Sequence, residues 1–248
     1  MNGINGDGPG KRVTIVTGHY GSGKSEFSVN LALRYRAELS SGGNGHAPAE
    51  DTANEFTVAL ADVDVVNPYF RSREQRALLE SHGIRVVGNQ LGIDSGVDLP
   101  SVSPEVYSLV RDKYVRLILD TGGDPVGARL LGTVRRLLDP FDSEVLCVVN
   151  GSRPETSDAE RAIAMIRSIE AAAGLAVTGL VNNTHMLEHT GRDHILEGDR
   201  LCREIRERTE IPVRYVGVPR WVELDNDEVA GRMIPIEMYL RESWMVTP

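Results

Sequence analysis

The segment GHYGSGKS, from Gly18 to Ser25, constrains this chain more than any other stretch. It satisfies G-x-x-x-x-G-K-[ST], follows the apolar run VTIVT and precedes the helical pattern FSVNLALRY, so the motif sits in the strand-loop-helix setting that its chemistry requires. Glycines let the backbone curl until successive N–H groups point inward, and the positive end of the following helix faces the same spot. Together they make a nest for phosphate. Lys24 is expected to bridge the β and γ phosphates as a compact point charge, and the Ser25 hydroxyl to join the shell of a Mg²⁺ ion. Gly18, His19, Tyr20, Gly21, Ser22, Gly23, Lys24, Ser25 and Glu26 form the expected cradle.

Short β-branched apolar runs alternate with amphipathic stretches along the rest of the chain. The expected strands are Arg12 to Thr17, Thr57 to Ala61, Arg85 to Val87, Val115 to Leu119, Glu144 to Val149, Val177 to Val181 and Val213 to Val218. The expected helices are Lys24 to Glu38, Phe70 to His82, Pro104 to Lys113, Ala128 to Leu138, Glu155 to Ala173 and Arg192 to Thr209. This alternation implies an α/β fold: a doubly wound, mostly parallel seven-stranded sheet with helices on both faces. Several runs are apolar throughout, as strands covered on both faces should be. The first ten residues read as a flexible N-terminus and 11–248 as a single domain. Residues 40–55, rich in Gly, Ser, Asn and Ala, read as a flexible surface loop, and 222–248 as a C-terminal tail that packs on its own domain.

In a doubly wound sheet, ligands bind at the carboxyl ends of the strands. Two carboxylate-bearing strand ends therefore converge on the phosphate loop. The second strand ends in ALADVDVV, with Asp62 and Asp64, and the fourth ends in LILDTGGD, with Asp120. Carboxylates beside phosphate need a metal or a water between them. Asp120 is expected in the Mg²⁺ shell, through water, and Asp64 to orient the attacking water, with Asp62 sharing either task. Lys24, Asp64 and Asp120 are thus the expected catalytic set, and Ser25, Asp62 and Asp120 the expected metal set. Gly122 or Gly123 can bring an amide close to a γ phosphate, and Arg71, Arg73 and Arg129 are weaker candidates for transition-state charge.

For the base, the sixth strand runs into VNNTH and the seventh ends in VGVPR. Asn182 or Asn183 can donate to and accept from a purine edge, and Pro219 can pack against the ring. A guanine reader of the N-K-x-D type adds a carboxylate for the exocyclic amine, whereas here Thr184 and His185 follow. That favours ATP over GTP. His185, His189 and His194 are too loosely spaced to read as a metal set and are taken as loop residues.

Composition excludes other classes. A net charge of −9 disfavours a nucleic-acid sleeve, and no apolar run nears the roughly 18 residues of a membrane span. No signal-peptide pattern opens the chain, so a cytoplasmic location is expected. Cys147 and Cys202 form no CxxC pair and read as packing residues. Of 27 basic residues only Lys11, Lys24 and Lys113 are lysines, so Lys24 is the one lysine within a chemical motif.

GHYGSGKS, the DVD of Asp62 to Asp64, LILDTGGD, and VNN before a VPR strand together resemble the MinD/ParA and CobQ/CobB group of P-loop nucleotide-binding proteins. The resemblance runs from Arg12 to about Arg220. DVDVVNPYFRSRE and GGDPVGARLLG further resemble a subfamily described only as ATP-binding proteins. The resemblance implies an ATP-dependent homodimer; the leading expectation is a Mg²⁺-dependent ATPase acting as a nucleotide-driven switch, its slow turnover stimulated by a protein partner. It also leaves a biosynthetic ligase or kinase like dethiobiotin synthetase as the alternative, with an acceptor near Asn67 to Arg73 or Gly88 to Asp98. In the ParA-type loop a second, signature lysine follows the first glycine. Here His19 stands there, and Tyr20 replaces a family glycine.

Overall fold

A computed structural model describes residues 10–41, 56–63, 75–88, 102–123 and 125–240. Among them, eight strands form one sheet: β1 (Val13–Gly18), β2 (Thr57–Asp62), β3 (Ile84–Gly88), β4 (Val115–Asp120), β5 (Ser143–Val149), β6 (Gly179–Asn182), β7 (Val213–Pro219) and β8 (Arg232–Ile236). Their order is β3-β2-β4-β1-β5-β6-β7-β8, and every adjacent pair is parallel. From β1 the chain places β2 and β3 on one side, returns with β4 between β2 and β1, then crosses to the other side and runs outward from β5 to β8. Strand β1 therefore lies at the topological switch, where a crevice opens at the carboxyl ends.

Among the described residues six α-helices cover the sheet: α1 (Lys24–Ser40), α2 (Arg76–Ser81), α3 (Pro104–Arg111), α4 (Pro125–Val134), α5 (Ala159–Ala173) and α6 (Arg192–Thr209). Alternate residues of β2 feed opposite cores, Val58 and Leu60 packing with Phe27, Leu31 and Tyr35 of α1, while Ala59 and Ala61 join Val106, Leu131, Ile166 and Ile205 of α3 to α6. Both faces are thus dry, which is why the strands read as apolar runs. Cys147 and Cys202 belong to the larger core, and burial pushes the Cys147 thiol up to about 12. Among the described residues no helix is long and apolar enough to cross a membrane.

The sheet has one strand more than the seven expected. Strand β8 lies inside the stretch read as a tail, in RMIPI, where Pro235 and the partly exposed Arg232 and Met233 mask the strand pattern. A proline is tolerated there because β8 is an edge strand. Residues 237–240 after it carry no regular structure, although Ile236, Tyr239 and Leu240 are spaced as in a helix. Helix α5 starts four residues later than the expected Glu155, because Asp158 caps it by accepting from Arg161 N at 2.9 Å. Residues 1–9, 42–55, 64–74 and 241–248, with most of the expected acceptor stretch from Gly88 to Asp98, lie outside the described residues.

Candidate functional site

The phosphate loop leaves β1 at Gly18 and enters α1 through Gly23. Gly21 and Gly23 have φ of +74° and +80°, the left-handed region that other residues enter only under strain. No side chain caps α1, and an uncapped helix start is a favourable place for an anion. Lys24 is 4% exposed and Ser25 7%, so both sit in the loop rather than on the surface.

Two side chains from neighbouring strand ends hold consecutive loop carbonyls. Asn183 Nδ2 donates to Ser22 O at 2.9 Å, and Arg153 Nε donates to Gly21 O at 3.1 Å. In a trans peptide the C=O and the next N–H point opposite ways, so fixing the Ser22 carbonyl outward turns the Gly23 amide inward. The Ser22 amide is held by His19 O at 3.1 Å, which closes the turn. Ser22 Oγ and Thr17 Oγ1 are buried without a hydrogen-bond partner among the described residues. Buried hydroxyls left this way cost about 1–3 kcal/mol each unless a ligand satisfies them.

The carboxylates arrive by register. Asp62 ends β2 directly beside Asp120 at the end of β4, and Asp120 in turn faces Val16 of β1. Strands in a sheet lie about 4.8 Å apart, so these two buried acids are neighbours although 58 residues separate them in the chain. Thr121 fastens their loop to β1, its N and Oγ1 both donating to Val16 O, at 3.0 and 2.9 Å. A Cβ on Gly123 would run into the Gly18 carbonyl oxygen, so the loop after β4 closes directly on the phosphate loop. The donor set of a hydroxyl and two carboxylates suits a hard, oxygen-loving cation, and the amide-lined loop suits phosphate.

A cavity of about 560 Å³ opens beside the loop. His19, Tyr20, Gly21, Gly23, Lys24, Ser25 and Glu26 of the expected cradle line it, as do Asn183 and Pro219 of the expected base contacts. Leu187, Trp221, Met238 and Leu240 add apolar lining. Asn182 does not reach the cavity. It is fully buried, its Nδ2 donating to Ile195 O at 2.9 Å and its Oδ1 accepting from Thr184 N at 3.1 Å, so it locks α6 to β6. Asn183 is a strut as well, its carbonyl end wedged against Gly217 of β7. The third expected catalytic residue, Asp64, lies outside the described residues, as do Arg71 and Arg73. Arg129 is exposed on α4.

The histidines part company. His185 lines the cavity, His189 stands beside Glu188 on the surface, and His194 Nδ1 accepts from Gly191 N at 3.1 Å at the start of α6.

Three features escaped the motif search. Arg153 belongs to no pattern, and its one signal is its place just after β5, at the end of the sheet where ligands bind. Met238 and Leu240 reach the site because Glu26, in the first turn of α1, accepts from Tyr239 N at 2.6 Å and Leu240 N at 3.2 Å. Asn30, one turn on, adds a reciprocal pair with Glu237: Nδ2 to Glu237 O and Glu237 N to Oδ1, both 2.9 Å. Glu26 is thus a latch for residues 237–240 as well as a cavity wall.

Solved structures that share this fold include the signal recognition particle receptor FtsY from Elizabethkingia anophelis in complex with GDP, with a TM-score of 0.51, 23% identity, and 88% of this chain and 60% of that one covered. The cell division protein FtsY from Thermotoga maritima matches with a TM-score of 0.52 and 21% identity over 86% of this chain and 63% of that one. Chloroplast FtsY from Physcomitrella patens has a TM-score of 0.53 and 18% identity over 88% and 63%. The chain spans less than two thirds of the length of each of these proteins. At such identities the likeness shows a shared P-loop α/β fold. No family model and no curated protein matches the chain.

Proposed function

We propose that this chain is a Mg²⁺-dependent P-loop nucleotide hydrolase, with ATP as its nucleotide, acting as a slow switch in the cytoplasm in the manner of the MinD/ParA group. One observation carries the reading: an uncapped helix start with a glycine loop, Lys24 and Ser25, lies at the switch point of a parallel sheet whose neighbouring strands end in buried Asp62 and Asp120. Lys24 and the loop amides would hold the phosphates, and Ser25, Asp62 and Asp120 the metal. When bound, Mg²⁺ neutralises phosphate charge. Asp64 orients the attacking water in this reading. The loop after β4 then differs between the triphosphate and diphosphate states, which is the switch.

ATP is preferred over GTP because the base end of the cavity is walled by Leu187, Pro219, Trp221, Met238 and Leu240, and the turn after β6 presents Thr184 and His185 where a guanine reader needs a carboxylate. An ATP-dependent homodimer and a protein partner belong to the same reading, and sizing the protein with ATP and with ADP tests the dimer.

The decisive measurement is phosphate release with ATP and with GTP, from the wild type and Lys24→Ala. The expected result is ATP hydrolysis that falls by about 100-fold or more in the variant. Equal rates in the two proteins would refute the function. A rate that rises with a small carboxylate or hydroxyl acceptor would move the assignment to a ligase or kinase.

A further inference from the structure

Position 19 of the phosphate loop carries His19, not the lysine that a MinD/ParA-type loop is expected to present there. Its ring is turned back on its own loop, with Nδ1 2.9 Å from Tyr20 O and 4.0 Å from a Glu155 carboxylate oxygen. A second charge for the phosphates must come from elsewhere.

Arg153 occupies the right place. Its backbone is anchored in a tight turn after β5: Arg153 N donates to Asn150 O at 3.1 Å, Thr156 N returns a bond to Arg153 O at 3.0 Å, and Thr156 Oγ1 donates to Asn150 O at 2.6 Å. Pro154 follows and restricts the turn further. The side chain then reaches 132 residues back in sequence to the phosphate loop, where Nε holds Gly21 O. It lines the same cavity as Lys24 and Ser25. Nε is the only one of its donors engaged among the described residues, so the two terminal nitrogens are left for an acceptor in the cavity. Tethering through Nε also fixes the plane of the guanidinium before any ligand arrives. A planar fork held in this way suits two oxygens of a phosphate group.

We propose that Arg153 is a catalytic residue that contacts the polyphosphate in cis, supplying from the β5 turn the charge that the loop lacks at His19. The inference rests on the phosphate-site reading above and adds a consequence: hydrolysis needs no residue from a second copy. A nucleotide-dependent dimer would then serve output and not chemistry.

The test uses the full chain with Arg153→Ala and Arg153→Gln, beside the wild type and Lys24→Ala. Arg153→Gln keeps a side-chain donor within reach of Gly21 O and removes only the charge, so it separates phosphate contact from loop stapling. Binding of ADP and of a non-hydrolysable ATP analogue is measured, with turnover over a range of protein concentrations. Both Arg153 variants are expected to lose about 100-fold or more in turnover and at least about tenfold in affinity for the ATP analogue, with ADP affinity changing less than about threefold. Wild-type turnover per chain is expected to be independent of protein concentration. Wild-type behaviour of Arg153→Gln, or equal losses for ADP and the ATP analogue, would reduce Arg153 to a staple and overturn the proposal, as would turnover that climbs with protein concentration. If Lys24→Ala fails as expected while Arg153→Ala matches the wild type, the inference alone falls. A wild type that binds no nucleotide removes the phosphate-site reading and the inference with it.

Discussion

The two ends of the sheet treat buried polar groups differently. At the amino end, Glu144 of β5 accepts from Thr14 Oγ1 at 3.1 Å and Lys11 N at 3.3 Å, and lies 3.8 Å from Arg214. Arg116 of β4 stacks 3.3 Å above the ring of Tyr35, with its Nη2 donating to Gly10 O at 3.0 Å. Glu38, at the end of α1, gathers Arg34, Arg116 and Arg232, tying β4 and the edge strand β8 to the helix. At the carboxyl end the loops are glycine-rich, Ser22 Oγ and Thr17 Oγ1 are buried without hydrogen-bond partners among the described residues, and a 560 Å³ cavity opens beside them. At the amino end Arg116 Nε is the one such group among the described residues, and it lies against the Tyr35 ring, whereas at the carboxyl end the unsatisfied groups gather around an open cavity.

The sharpest way to break this contrast is Gly123→Ala. The new methyl group meets the Gly18 backbone carbonyl, which cannot move without deforming the phosphate loop. Phosphate release is expected to drop by about 100-fold or more, and the thermal stabilisation by nucleotide to vanish, about 2.7 kcal/mol when ligand stands at a hundred times its Kd. A variant that still shifts its melting temperature with nucleotide as the wild type does would mean the two loops do not act together.

The amino end is tested by alkali. Burial raises the Tyr35 and Tyr215 hydroxyls above their ordinary value of 10.0, with the nearby Glu144 carboxylate adding to the rise. Because the folded chain holds these protons more tightly than the unfolded one, their contribution is complete below pH 10 and is lost as the pH climbs beyond it. Each tyrosine should remove up to about 1.4 kcal/mol for a one-unit rise. Chemical denaturation from pH 8 to 11 is expected to show this slope, and Tyr215→Phe to flatten it by about half. An unchanged slope in that variant would place the alkaline loss elsewhere.

The smallest effect concerns the base side. Glu26→Ala removes the acceptor for Tyr239 N and Leu240 N, loosening the wall that Met238 and Leu240 contribute. Nucleotide affinity is expected to weaken roughly threefold to tenfold, about 1 kcal/mol, with turnover at saturation nearly unchanged. A large fall in saturated turnover with intact affinity would instead put Glu26 among the phosphate-side residues.

Much of this is legible in the sequence. Seven of the eight strands lie within a residue or two of their apolar runs, since a sheet covered on both faces needs continuous apolar stretches. Strand β8 was illegible because an edge strand can carry Arg232 and Pro235, which erase that signal. Asn183 was legible as a cavity residue, but its hold on Ser22 was not, and the choice between Asn182 and Asn183 was not legible because adjacent strand residues point to opposite faces.

By itself the sequence determined the phosphate loop and the parallel sheet that displays it, because both are local: a glycine pattern between a strand and a helix, and apolar runs at strand length. It also put acids at two strand ends. Only the tertiary structure decided that Asp62 and Asp120 are neighbours, that Arg153 and Asn183 grip the loop, and that residues 237–240 wall the cavity. Those contacts join residues 58 to 214 positions apart and depend on strand order and register, which no local pattern encodes.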